Sequence, residues 1–251
     1  MGVEYRHYLV PGDRGFRPDP PGLARLVAAL RDSGFIPPDG ASPDGVVRLL
    51  HDGGEARPWV DADLAATAEG DRRLAWSVED FAASGLADPF GRRPGDDSYY
   101  DLEIHLAGDY VAPVSESIEP IADPTCGCGR DLAYEAEDRS PFAFTGRIRL
   151  ACPDCGAPFR PGDHAAWMTD PATGAASERP GGSAYRFALA IDCGKAIPFG
   201  PPTAPGSWRR LLARLRGREA PGPSPARASE ALHRALVDAL GVPFEEFGTL
   251  Y

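Results

Sequence analysis

Four of the five cysteines fall in two tight pairs, Cys126-Gly-Cys128-Gly129 and Cys152-Pro-Asp-Cys155-Gly156. Paired thiolates on two turns suit a cation that prefers four soft ligands at tetrahedral corners, and Zn²⁺ is the usual one. A glycine after each pair lets the chain turn back, which can aim backbone N–H groups at the sulfurs. If all four sulfurs bind, no coordination position stays open, so the expected cofactor is structural Zn²⁺ on Cys126, Cys128, Cys152 and Cys155. Bound zinc would leave a formal −2, and Arg130, Arg147, Arg149 and Arg160 are near enough in sequence to offset it. The competing reading is loop cysteines that are reduced or disulfide-bonded and hold no metal.

The stretch from Thr125 to about Pro161 resembles a zinc ribbon: a cysteine knuckle, a β-hairpin arm and a second knuckle. Cys152-Pro153-Asp154-Cys155-Gly156 matches the usual C-P-x-C-G knuckle. The first knuckle departs from it, with only Gly127 between Cys126 and Cys128, and the 23 residues between Cys128 and Cys152 make a long arm. The resemblance covers about one seventh of the chain. Zinc ribbons serve nucleic-acid binders, enzymes and adaptors alike, so it implies a metal and a hairpin, not an activity.

Three other groups of residues have chemical potential. Asp101, Glu103 and His105 alternate along an expected strand and share one face. They could bind a hydrolytic metal or do acid–base work, which makes them the catalytic candidates. Leu102, Ile104 and Leu106 occupy the other face, so the expected reading of the polar face is solvent exposure. Cys193 precedes Gly194 and Lys195, and a nearby ammonium favours a reactive thiolate. Alternation instead puts Cys193 with the inward Tyr185, Phe187, Leu189 and Ile191. Finally, Trp208, Arg209, Arg210 and Arg214 belong to an expected helix that is either a solvated face or a docking surface for an acidic partner.

Composition narrows the choice. The formal charge of −11 disfavours non-specific attraction to nucleic acid or anionic membrane. All but one of the 26 basic residues are arginine, and Asn and Gln are absent, so no carboxamide is available for catalysis or base readout. This bias suggests a GC-rich, bacterial genome. No apolar run approaches a bilayer span and the N-terminus does not read as a secretory signal, so cytoplasm is the expected location. No phosphate-binding glycine loop, nucleophile elbow or H-E-x-x-H motif occurs.

The elements that must carry these residues begin with a strand over Val3–Val10. A helix follows, capped by Asp19, opened by Pro20 and stopped near Gly34. Val46–Leu50 reads as a strand, Asp61–Ala68 and Ser77–Ser84 as short helices. Tyr99–Leu106 and Asp109–Ser117 read as strands joined by a turn at Gly108. Thr169–Ser183 reads as a connection and Tyr185–Cys193 as a core strand. Two C-terminal helices are expected, one carrying Trp208 and one from Pro225 to Leu240, capped by Ser224 and stopped by Gly241.

The resulting expectation is an α+β protein with a mixed or antiparallel sheet, flanking helices and an inserted zinc-ribbon hairpin. Residues 1–120 and 181–251 would form the α+β domain, and 121–180 the insert with its connecting loop. The expected role is non-catalytic binding of another protein. The alternatives are a metal-dependent hydrolase using Asp101, Glu103 and His105, and a nucleic-acid module using the zinc arm.

Overall fold

The computed structural model describes residues 5–38, 48–51, 70–91, 99–113, 126–130, 132, 140, 142, 145–163, 165–169, 176–180, 182–192 and 228–250. The chain is an α+β fold: an antiparallel sheet whose described helices both pack on one face. The strands are β1 (Tyr5–Pro11), β2 (Arg48–His51), β3 (Arg72–Val78), β4 (Tyr100–Pro113), β5 (Thr145–Arg147), β6 (Ala165–Thr169), β7 (Ala176–Pro180), β8 (Tyr185–Asp192) and β9 (Phe244–Leu250). They lie in the order β2-β3-β4-β8-β1-β9-β6-β7, and β5 pairs with β4. Among the described residues no helix is long and apolar enough to cross a membrane.

The helices are α1 (Pro20–Asp32) and α2 (Glu230–Leu240). Asp19 caps α1 by accepting from the Gly22 N–H at 2.7 Å, and Gly34 at φ 75° lets Phe35 N–H return to the Leu30 carbonyl. The stripe Leu23, Leu26, Val27 and Leu30 meets Leu232 and Leu236 of α2 above Leu74, Trp76, Leu102, Ile104, Leu189 and Ile191. These buried side chains form the main core. It exists because one strand parity and two helix faces are apolar together.

Four expectations need correction. Ser77–Ser84 is not a helix: Trp76 and Val78 continue β3 into the core, and only residues 81–85 turn, around the Asp80 carboxylate. Gly108 does not end a strand. β4 runs through it with a bulge between Leu106 and Val111, because the buried Asp71 carboxylate binds the Gly108 N–H and Arg186 donates to its carbonyl. A side chain there would lie 3.5 Å from the Gly70 backbone. The last helix is capped by Ser229, not Ser224, and Ala228 precedes it in non-helical conformation, while Gly241 at φ 71° stops it as expected. Thr169–Ser183 contains β7, and β9 was not anticipated at all. The expected helices at Asp61–Ala68 and around Trp208, with Arg209, Arg210 and Arg214, lie outside the described residues, as do Cys193 and Lys195.

Candidate metal centre

The two cysteine knuckles solve one geometric problem with different lengths. In the second, Gly156 N–H returns to the Cys152 carbonyl at 2.9 Å and Cys152 N–H donates to the Ala157 carbonyl at 2.8 Å. In the first, Gly129 N–H returns to the Cys126 carbonyl at 2.7 Å and Cys126 N–H donates to the Arg130 carbonyl at 2.7 Å. The missing residue shortens each hydrogen-bonded ring by one position without opening the turn. Both turns need a residue at positive φ, and Gly129 (88°) and Gly156 (72°) supply it.

The four Sγ atoms lie within 4.8 Å of one another. Cys126 Sγ is 3.5 Å from Cys155 Sγ, and Cys128 Sγ is 3.5 Å from Cys152 Sγ. Sulfurs bound tetrahedrally to one zinc at ~2.3 Å stand about 3.8 Å apart, so the cluster has the size of such a site. The contacts are far longer than the ~2.05 Å of a disulfide. Among the described residues, this is the single group of three or more ligating side chains close enough to share an ion.

As a set of thiols the four are unequal. Burial pushes Cys152 up, but the N–H groups of Cys155 and Asp154 outweigh it and bring the thiol down to about 7. For Cys155 the Ala157 N–H works downward and is outweighed by the sulfurs of Cys126, Cys152 and Cys128, which carry it up to about 12. Four sulfurs that cannot all ionise together are the electrostatic counterpart of a site built for a cation.

The centre is held against β4. Leu132, Ile148 and Phe159 form a small core with Cys126, Cys152 and Ala184, and Tyr110 and Ala112 pack on it. Arg149 N–H donates to the Leu132 carbonyl across the base of the arm, and β5 pairs with Val111–Pro113. Residues 131, 133–139, 141, 143 and 144 of the expected hairpin arm lie outside the described residues. Of the four arginines expected to offset the sulfurs, Arg147 is engaged by the buried Asp71 carboxylate.

The face bearing Glu103 and His105 is not solvent-exposed as expected. Glu103 is 4% and His105 0% exposed, while Asp101 is half-buried. The physical reason is a second core on that side of the sheet, made by Tyr8, Val10, Tyr185, Phe142 and Phe247. Phe142, from the arm between the knuckles, stacks on the His105 ring at 4.4 Å between centroids and 13° between planes. Glu103 accepts from Arg6, from Arg73 at 2.6 Å and from His105 Nε2 at 2.8 Å; His105 Nδ1 lies 2.9 Å from the Tyr185 hydroxyl. Burial holds His105 down to about 4 despite Glu103, so the ring is neutral near pH 7. Its one N–H goes to the carboxylate, and the Tyr185 O–H donates to Nδ1. Asp101 sits further along β4, at the rim of a cavity of about 270 Å³ with Ser77, Val78, Glu79 and Tyr99.

Sequence reasoning placed Tyr185 with Phe187, Leu189 and Ile191, whereas the bulge opposite it turns Tyr185 into the second core beside His105. It missed Arg6 and a second buried carboxylate. Glu246 accepts from the Ala228 N–H at 2.9 Å and binds His7 at 3.0 Å and His233 at 3.2 Å, fastening the start of α2 to β1. The available signal was the placing of Arg6 and His7 inside an otherwise apolar strand.

These groups predict acid lability. Arg6 and the neighbouring donors outweigh burial and hold Glu103 down to about 2, and the two imidazoles do the same for Glu246. A depressed carboxylate contributes stability that is complete above its unfolded value near 4.5 and is lost as pH falls through 2. For His105 the unfolded chain protonates first, near 6.5, so stability drains as pH falls from there through 4. The unfolding free energy should therefore fall steadily from pH 6.5 to 2, each displaced group weighing about 1.4 kcal/mol per unit of displacement. His105→Phe should flatten the limb between pH 6.5 and 4. An unfolding free energy constant from pH 7 to 3 would contradict this.

Fold and site define an α+β protein carrying a four-cysteine cluster able to hold a metal ion. No protein-family model matches the chain, and neither curated proteins nor solved structures offer a match.

Proposed function

We propose that the chain is a structural zinc protein that acts by binding another protein. The observation that carries the zinc reading is the sulfur cluster: four cysteine sulfurs within 4.8 Å on two knuckles of matching hydrogen-bond pattern. Thiolate softness and tetrahedral size favour zinc over hard cations. Cys126, Cys128, Cys152 and Cys155 would hold the ion, and four protein ligands leave no place for substrate or activated water. Its work is then to fasten the arm to β4. A non-catalytic role is further supported by the Glu103–His105–Tyr185 chain, whose ring nitrogens are both engaged within the core. The partner-binding residues are proposed to be Trp208, Arg209, Arg210 and Arg214, an apolar anchor among guanidinium groups suited to an acidic surface.

The test is metal content on protein purified without added zinc, together with affinity capture from native lysate. One zinc per chain and four cysteines shielded from thiol reagents are expected, with one partner recovered reproducibly and lost with Trp208→Ala. Protein free of metal with four reactive thiols would overturn the zinc reading, and consistent recovery of no partner would overturn the binding role.

A further inference from the structure

The four sulfurs differ in their access to solvent. Cys126 and Cys152 are buried, at 8% and 2% exposure, whereas Cys128 and Cys155 are exposed. Each exposed sulfur touches a buried one belonging to the opposite knuckle, Cys128 on Cys152 and Cys155 on Cys126, both at 3.5 Å. An oxidant arriving from water therefore meets Cys128 or Cys155 first, and the sulfur positioned to resolve the product comes from across the site. We infer that Cys128 and Cys155 are modification sites for small hydroperoxides, and that oxidation joins the knuckles through Cys128–Cys152 and Cys126–Cys155 disulfides that replace the metal as the fastening of the arm. This rests on the zinc reading above.

The chemistry balances. The Cys128 thiolate attacks the terminal oxygen of a hydroperoxide; an S–O bond forms, the O–O bond breaks, and the alkoxide leaves as an alcohol after taking a proton from solvent. The Cys152 thiolate then attacks the sulfenic sulfur; the S–S bond forms, the S–O bond breaks, and hydroxide leaves as water. Two thiolates lose two electrons and one hydroperoxide gains them. The ion, deprived of two ligands, passes to solvent. A second hydroperoxide oxidises Cys155 and Cys126 in the same way.

The competing product is the bridge within the second knuckle, between Cys152 and Cys155. It would leave the two knuckles unlinked once the metal has gone. The cross-knuckle bridges instead close loops whose ends are 24 and 29 positions apart, so they constrain the same arm that the ion constrained. They would also keep Cys126 and Cys152 in the small core with Leu132, Ile148 and Phe159.

The experiment treats the full, zinc-loaded chain with tert-butyl hydroperoxide, follows zinc release with a colorimetric chelator, and digests the product with trypsin without reduction. Cleavage after Arg130 and Arg149 separates the peptide holding Cys126 and Cys128 from that holding Cys152 and Cys155. The expected result is one disulfide-linked species containing both peptides, formed in step with zinc release. Cys128→Ser should retain only the Cys126–Cys155 link, and Cys155→Ser only Cys128–Cys152. Oxidised protein should also melt above reduced protein stripped with a chelator. Two separate peptides, with Cys152 bridged to Cys155, would overturn the inference, as would zinc-loaded protein whose thiols resist excess hydroperoxide. Protein that never held zinc but still gave the linked species would fail the zinc reading alone and leave the disulfide pairing standing.

Discussion

Removing the proposed zinc ligand Cys152, by Cys152→Ser, should abolish zinc retention and lower the melting temperature by about 10 °C or more. Cys152 is buried in the small core with Cys126, Leu132, Ile148 and Phe159, and its backbone N–H closes the second knuckle on Ala157. That core is small, and without an ion four clustered thiols must share protons at close range. Structural zinc sites in isolated peptides contribute about 10–16 kcal/mol of apparent binding energy, which in such systems is folding energy. Here only part of it should appear globally, because β1, β4 and β8 have their own core with α1 and α2. Loss should therefore be regional. Amides of Cys126, Gly129, Cys152, Gly156 and Phe159 should lose hydrogen-exchange protection in the variant or in chelated protein, while Leu189 and Ile191 of β8 stay protected. Equal loss everywhere would mean that the arm and sheet unfold as one unit, and no loss would mean that the ion does not fasten the arm.

The second large effect is expected at Glu103, far from any sulfur in sequence. Its carboxylate is almost fully buried and meets Arg6, Arg73 and His105 at once. Glu103→Gln keeps the shape and removes the charge, leaving the Arg6 guanidinium buried beside a neutral group, with the Asp192 carboxylate more distant at 3.9 Å. Breaking a buried pair by deleting one partner costs about 3–5 kcal/mol, because the surviving charge stays desolvated. Asp101→Asn on the same strand face should cost under about 1 kcal/mol, since that residue is only half-buried. Chemical denaturation of the two variants gives the comparison. Equal, small losses would show that water reaches Glu103 and that the second face of the sheet is open.

The four-cysteine cluster was legible in the sequence because its chemistry is local: two thiols and a glycine on a turn make a candidate ligand pair wherever the turn sits. The α+β class, β1, α1, β8 and the Gly241 stop were legible for a similar reason. Capping, left-handed glycine and apolar period depend on neighbours a few residues away. The Ser77–Ser84 segment shows the limit. Asp80 does cap a turn, but pairing with β4 claims Ser77 and Val78, and no local signal encodes that pairing. Gly108 was read as a turn for the same reason; Asp71, distant in sequence, decides that it is a bulge.

Only the tertiary structure decided that both faces of β4 are covered. Alternation along one strand establishes that Asp101, Glu103 and His105 share a face, and cannot tell whether another layer covers it. Cover comes from Tyr8 on β1, Phe247 on β9 and Phe142 from the arm, contributed by segments scattered across nearly the whole chain. The same long-range pairing turns Arg6, which looks out of place in an apolar strand, into the counter-charge of Glu103. Local chemistry thus determined what could bind a metal ion, while burial, a property of the whole sheet, decided which charged groups are structural.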